Sequence, residues 1–328
     1  MSKRILLVGC GELGSRHLQA VASLKDIRSI HVVDPCESSL EVGKLRLREV
    51  PELNRPMEWA WLKEPKKESA DGDLCIIATQ ANGRCALIKQ IARDLHYKNF
   101  LIEKIVAQSI EDYKDLISFC RQNNLNVWVN LKTRAYAIHQ DIKSRLDPKE
   151  PVFLSDCGGN QGLANNGVHA ADLFVFYDGG KEIQSVGNRI DSLLHPSKRA
   201  KDIFDLSGTL QGCSKKGSDF ILSFAKGDVN PDVLSIISPK FRFIVDHFER
   251  TAWESSAETQ WKWRSVPFEE NVFVSHMTKK FASDIMAKGT CDLPTLQEAF
   301  PSHEFILSQL LPHFNRLMKT SNNHCPVT

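Results

Sequence analysis

The sequence predicts an α/β protein of two domains: an N-terminal doubly wound parallel sheet, then a C-terminal α+β domain with a large, mainly antiparallel open sheet. Three observations carry this. The chain has 328 residues, 42% of them hydrophobic, more than one compact unit usually holds. Up to residue 122, short apolar runs alternate with helical periods, the rhythm of a parallel sheet covered on both faces. Beyond it, strand-like stretches follow one another and two helical patterns close the chain. The expected domains are therefore 1–122 and 123–328.

In order, "RILLVG" reads as a strand, "LGSRHLQAVASL" as a helix with Leu18, Val21 and Ala22 on one face, and "SIHVVD" and "DLCIIAT" as strands. "ALIKQIARDL" is a helix, "NFLIEK" a strand and "IEDYKDLISFCRQN" a helix. Residues 40–70 show only a strand-like apolar patch and a charged loop, in "PMEWAWLKEPKKESADG". The second domain reads "PVFLSDC", "EIQSVGNRI", "DLSGTLQGC", "SDFILSFA", "VLSIISP", "KFRFIVDHFERTAWES" and "WKWRSVPF" as strands. "NVFVSHMTKKFASDIMAKG" and "TLQEAFPSHEFILSQLLPHFNRLM" carry apolar residues three and four apart, as helices do. The last residues, "KTSNNHCPVT", read as a loose tail.

Composition narrows the function classes. No apolar run approaches a membrane span, and "MSKRILLVG" enters a strand without a signal-peptide pattern, so a soluble cytoplasmic protein without a membrane partner is expected. Nine cysteines without a CxxC pair argue against a disulfide framework or a zinc site, and His247, His276, His303 and His313 show no ligand spacing, so no metal is expected. A net charge of +2, without basic blocks, gives no support for a nucleic-acid partner. A small molecule is the expected ligand. The broad second sheet leaves a face to bury, to which Trp253, Trp261 and Trp263 belong, so a homodimer or homotetramer is expected.

Chemistry concentrates at strand ends. Gly9, Cys10, Gly11, Glu12, Leu13 and Gly14 form a GxGxxG turn where the first strand meets the first helix, the place where glycines admit a pyrophosphate onto a helix N-terminus. Asp34 ends the second strand roughly 20 residues on, where a carboxylate accepts both ribose hydroxyls of NAD and repels the extra phosphate of NADP. Pro35 and Cys36 follow it and not arginine, although Lys44 and Arg46 lie within reach. This is a Rossmann-type pattern for NAD, with NADP second. Thr79 and Asn82, at and after the end of the "DLCIIAT" strand, either line the nicotinamide side or start the next helix, with Asn82 as its cap. Glu103 and Lys104 end "FLIEK" on the same sheet edge. At most one of them enters the crevice directly, where a lysine would stabilise a developing alkoxide while the other anchors the strand; taken alone, the pair also reads as a solvated strand-end feature. In "NNGVHAADLFVFY", His169 and Asp172 share a helix face, so His169 can exchange an alcohol proton with Asp172 orienting it.

"GELGSRHLQAV", "DLCIIAT" and "FLIEK", in this order, resemble the Gfo/Idh/MocA family of NAD(P)-dependent sugar oxidoreductases. The resemblance implies an oxidoreductase acting on a sugar hydroxyl or keto carbon, with substrate between the domains and Lys104 and His169 carrying the catalysis. Asn130, Arg134, Asn165 and Asp172 would bind substrate; the glycine loop, Asp34, Thr79, Asn82 and Glu103 would bind cofactor. His17 corresponds to a structural histidine. Two departures stand out. Ile105 replaces the proline of the Glu-Lys-Pro motif, and with it any unusual peptide geometry that proline imposes. Asn165 stands where many members have an aspartate. This variant resembles members of bacterial surface-glycan and acidic-sugar biosynthesis, in which Arg84, Lys132 and Arg134 would meet a carboxylate or phosphate or remain solvated. An epimerase or lyase with a cycling bound cofactor, and a non-catalytic NAD-binding sensor or regulatory protein, stay open as other readings.

Overall fold

The computed structural model describes residues 3–53, 56–159, 162–197, 200–225, 230–268 and 272–328. The chain forms two compact units. Unit 1 comprises Met1–Ala107, Glu111–Asn130 and Asn271–Gln297, and unit 2 comprises Gln108–Ile110, Leu131–Glu270 and Glu298–Thr328.

From the N-terminus run β1 (Lys3–Val8), α1 (Gly14–Ala22), β2 (Ile27–Val33), α2 (Glu37–Leu47), β3 (Glu58–Leu62) and β4 (Leu74–Ile77). Next come α3 (Arg84–Asp94), β5 (Asn99–Ile102), α4 (Ile110–Gln122) and β6 (Asn126–Val129). The six strands pair in the order β3-β2-β1-β4-β5-β6, all parallel. The order reverses between β1 and β4, so the loops after these two strands diverge and frame a crevice at the carboxyl edge. β1 lies at the centre, and Ile5, Leu6 and Leu7 are buried in succession because helices cover both faces. The region left unordered by sequence contains α2 and the edge strand β3. The inward positions of α2 are Leu40, Gly43 and Leu47, and a glycine among them blurs its apolar stripe.

Unit 2 contains α5 (Ala137–Arg145), β7 (Phe153–Gly159), α6 (Gly167–Asp178), β8 (Gln184–Ile190), β9 (His195–Pro196) and β10 (Phe204–Asp205). It continues with β11 (Gly208–Cys213), β12 (Asp219–Ala225), β13 (Val233–Ile237), β14 (Phe241–Asp246), β15 (Thr251–Ser256) and β16 (Arg264–Val266). Its eight-stranded sheet has the order β16-β15-β14-β13-β7-β12-β11-β8, antiparallel except where β7 meets β12. Along β14, Phe241, Phe243 and Val245 are buried and the residues between them half-buried, the alternation of a sheet packed on one face. The short β9–β10 ribbon, absent from the sequence reading, forms a separate two-stranded sheet.

Two more helices complete the fold, α7 (Val274–Lys288) and α8 (Phe300–Met318). The division into units departs from the expected 1–122 and 123–328. β6 completes the parallel sheet, and α7 returns to unit 1 to pack on α1. The segment before α8 is not helical as its periodicity suggested. It borders the edge of β6 instead, with Thr295 bridging Trp128 and the Leu296 N–H donating to the Val127 carbonyl at 2.8 Å. Pro301 sits in the first turn of α8, where its missing N–H has no intrahelical partner to lose.

The tail is not loose. In unit 2 the Cys325 N–H donates to the Gln108 carbonyl at 2.8 Å, the Phe204 N–H to the Pro326 carbonyl at 2.8 Å, and the Gln108 amide to the Val327 carbonyl at 3.0 Å. Cys325, Val327 and Thr328 are buried; their small apolar surfaces are too few to show a period. No helix among the described residues is long and apolar enough to cross a membrane. Among those residues no group of three or more His, Cys, Asp or Glu is placed to hold a metal ion.

Candidate active site

In unit 1 the turn after β1 is built on glycine. Gly9 has φ +90°, a left-handed conformation that side chains resist, and a Cβ there would fall 2.8 Å from the Ala78 and Thr79 backbone. A Cβ at Gly14 would lie 1.9 Å from the Gly9 carbonyl oxygen, whereas one at Gly11 would meet nothing within 4 Å. The first and third glycines therefore close the turn, and the second borders open space in front of α1. Asp34, buried at the end of β2, accepts the Cys10 N–H at 2.7 Å and the Cys36 N–H at 2.9 Å, one on each carboxylate oxygen. Each oxygen keeps a lone pair for a further donor. Arg46 is committed to Glu12 and the Ser15 hydroxyl, and Lys44 to Glu41 at 2.7 Å. Neither pairs with Asp34. This space beside α1, with a poised carboxylate next to it, fits a dinucleotide's pyrophosphate and ribose.

The ends of β4 and β5 are held from within. Glu103 is buried; His17 shares a hydrogen bond with its carboxylate at 2.9 Å and Asn130 donates to it at 2.5 Å. The other ring nitrogen of His17 meets the Thr278 hydroxyl of α7 at 2.8 Å. Burial alone would raise the Glu103 carboxyl, but the hydrogen bond and charge of His17, the Asn130 amide and the Lys104 charge hold it at about 2. Glu103 is thus the strand anchor. Asn130, expected on substrate, has its amide turned inward to this carboxylate. Lys104 follows, buried, and its peptide bond to Ile105 is cis although residue 105 is not proline. The geometry expected to vanish with the proline is therefore present, and Arg84 binds the carbonyls on either side of that peptide.

Arg84 also departs from expectation. Its guanidinium is buried, donating to the Glu103 carbonyl at 2.6 Å and to the carbonyls of Ile105 and Thr79. Its terminal nitrogens are engaged by backbone carbonyls, and it does not lie in solvent. Asn82 is exposed and does not cap α3; that position belongs to Gly83, whose φ of 74° excludes most side chains. The Thr79 hydroxyl is buried without a hydrogen-bond partner among the described residues.

In unit 2, α6 starts after Asn165 and Asn166, as the sequence suggests. His169 stands half-exposed in its first turn, with Nδ1 3.5 Å from the Thr133 hydroxyl. Asp172 does not orient it. Arg134 takes that carboxylate through both arms, at 2.7 and 2.5 Å, and both side chains are buried. A planar guanidinium matches a carboxylate better than an imidazole does, so Arg134 and Asp172, expected on substrate, bind each other. Burial raises the Asp172 carboxyl although Arg134 draws it back. The Asn165 amide donates to Asp205 at 2.6 Å, and the other oxygen of Asp205 takes the Ala164 and Leu206 N–H groups, each at 2.8 Å. Lys132 donates to the Tyr136 hydroxyl.

Residues 3–131 match the model of an oxidoreductase family with an NAD-binding Rossmann fold. The family that this model describes is Gfo/Idh/MocA. No curated protein matches the chain. Solved structures share the fold at low identity. An oxidoreductase from Agrobacterium radiobacter, in complex with NAD+, L-tartaric acid and magnesium, is 14% identical with a TM-score of 0.74, covering 93% of this chain and 94% of that one. The UDP-N-acetylglucosamine 3-dehydrogenase GnnA from Acidithiobacillus ferrooxidans is 16% identical with a TM-score of 0.70, covering 95% and 96%. The WlbA dehydrogenase from Bordetella pertussis, in complex with NADH and UDP-GlcNAcA, is 15% identical with a TM-score of 0.66, covering 97% of each chain.

Within unit 1, the glycine turn and Asp34 stand where the sequence puts them. Sequence reasoning missed the inward ties. His17 was expected as a structural histidine but without its partners, Arg84 only as a charge for substrate or solvent, and Asp205 not at all, because Glu103, Thr278 and Asn165 lie far along the chain from the groups they tie.

Proposed function

We propose that the protein is an NAD-dependent oxidoreductase that transfers hydride between nicotinamide and a hydroxyl or keto carbon of a sugar or sugar derivative, a nucleotide sugar of surface-glycan biosynthesis among them. The observation that carries the cofactor choice is Asp34, buried beside the glycine turn with neither Arg46 nor Lys44 turned to it. A carboxylate there accepts ribose hydroxyls and repels a 2'-phosphate. Gly9, Gly11 and Gly14 would hold the pyrophosphate, and the bound nicotinamide would supply the hydride chemistry. Lys104 holds the reacting oxygen and favours its anionic form, and His169, half-exposed beside Thr133, takes or returns the hydroxyl proton. The sugar class rests on the family match and on the names of the dehydrogenases that share the fold. Exposed apolar side chains on unit 2, including Trp253, Trp261 and Trp263, support a homodimer or homotetramer, which light scattering would test.

The test begins with calorimetric titration of NAD and NADP into the wild type and Asp34→Ala. Tight NAD binding, weakened at least about tenfold in the variant, is expected, since a charged hydrogen-bonding partner contributes roughly 1.5–3 kcal/mol. A panel of sugars and nucleotide sugars is then screened by NADH absorbance, with Lys104→Ala and His169→Ala losing turnover. Binding of neither nucleotide would overturn the reading. NAD binding without turnover on the whole panel would favour the sensor.

A further inference from the structure

We propose that Arg84 is a positioning residue for Lys104, an inference resting on the reading of Lys104 as the group that meets the reacting oxygen. Arg84 is the first residue of α3, reached through the left-handed turn at Gly83. Its side chain is 1% exposed, so a permanent cation is buried at the carboxyl edge of the sheet. One nitrogen donates to the carbonyls of Glu103, at 2.6 Å, and Ile105, and the other terminal nitrogen to the carbonyl of Thr79.

The identity of those carbonyls points to a role. Glu103 and Ile105 are the residues on either side of Lys104, and Thr79 lies two residues beyond the end of the neighbouring strand β4. Ladder pairing between β4 and β5 stops at Ile77 and Ile102, so beyond it these buried carbonyls need another donor. A guanidinium offers five N–H groups in a rigid plane and spans several acceptors at once, which the single nitrogen of lysine does not. Residue 104 is thereby gripped through both flanking carbonyls, while His17 and Asn130 grip the side chain of Glu103. Lys104 itself is only 8% exposed. A displacement of about 1 Å at a group that meets substrate can cost about a hundredfold in rate, so the clamp is where positional precision for this lysine originates.

The test uses the full-length protein as wild type, Arg84→Met, Arg84→Ala and Arg84→Lys. Three readouts are taken: NAD affinity by calorimetry, reductive methylation of Lys104 relative to the exposed Lys98 by mass spectrometry, and turnover on whichever sugar the panel identifies. The expected result is NAD affinity kept within about threefold, Lys104 methylated several times faster relative to Lys98, and kcat lowered about a hundredfold with a smaller change in KM. Partial recovery of kcat in Arg84→Ala on adding millimolar guanidinium ion would add a signature that a purely structural role does not produce. If Arg84→Met does not fold, Arg84→Lys keeps the charge and carries the same comparison. Unchanged methylation and kcat in a folded, NAD-binding variant would overturn the proposal. Should wild type turn over no sugar while Lys104 methylation still responds to Arg84, the positioning stands and the catalytic reading falls; turnover with no response to Arg84 gives the reverse.

Discussion

Glu103 and Lys104 are neighbours in sequence with opposite charges, yet burial and partners separate their roles. Glu103 sits among donors that hold it at about 2, below its ordinary 4.5. A carboxyl depressed in the folded state stabilises the fold fully above its unfolded value; this contribution falls as pH drops from about 4.5 towards about 2. The shift corresponds to stabilisation on the order of 3 kcal/mol. Glu103→Gln is expected to lower stability by about 1–3 kcal/mol near neutrality, and the gap to wild type should narrow in urea titrations repeated at about pH 3. A gap that stays constant with pH would show that the charge contributes nothing. At Asp172, the bidentate bond from Arg134 settles a role that helix spacing alone had given to His169.

At the scale of elements, the glycine turn separates folding from binding. Gly14→Ala would drive a methyl into the Gly9 carbonyl oxygen, 1.9 Å away, and is expected to lower stability by more than about 2 kcal/mol. Gly11→Ala places its methyl in open space, so its melting temperature should stay near wild type while NAD affinity falls. Calorimetry beside thermal melts tests both, and equal effects at the two glycines would count against the turn as a phosphate cradle. The tail makes a comparable point for unit 2. Removing residues 325–328 exposes the pocket of Cys325 and Val327 and frees the Gln108 and Phe204 bonds. Denaturant unfolding should register a loss of roughly 2–4 kcal/mol.

For the molecule as a whole, the response to acid follows from buried groups in both units. In unit 2, His139 shares hydrogen bonds with the Tyr177 hydroxyl at 2.6 Å and His247 at 2.7 Å. Burial, with His247 beside it, pushes His139 well below the ordinary 6.5, and burial pushes His247 down to about 4 against the opposing charge of Asp232. Histidines kept neutral when folded take up protons first in the unfolded chain, so stability is lost as pH falls from about 6.5 through about 4. The loss linked to His247 is on the order of 3 kcal/mol, and below about pH 4.5 Glu103 adds its share in the same direction. Unfolding free energy measured from about pH 7 to about pH 4 should fall steadily, and His247→Gln should flatten the slope; a flat wild-type profile would refute it.

The class of both sheets, most of their strands and the nucleotide turn were legible in sequence because each rests on local regularity: alternation along a strand, glycines at fixed spacing, an acid at a strand end. α2 was obscured by Gly43 on its buried face, and the start of α8 by apolar spacing that continues upstream of its first turn. The ties of His17 to Thr278, Arg84 to the carbonyls around Lys104, and Asn165 to Asp205 had no local signature. Nor did the return of α7 to α1 or the docking of the tail. Sequence by itself determined which segments become strands and where a phosphate can approach, since those depend on neighbours a few residues apart. Only the tertiary structure decided which charged side chains face the site and which are spent inside, because a buried donor or acceptor takes whatever partner folding brings within about 3 Å, however distant it is along the chain.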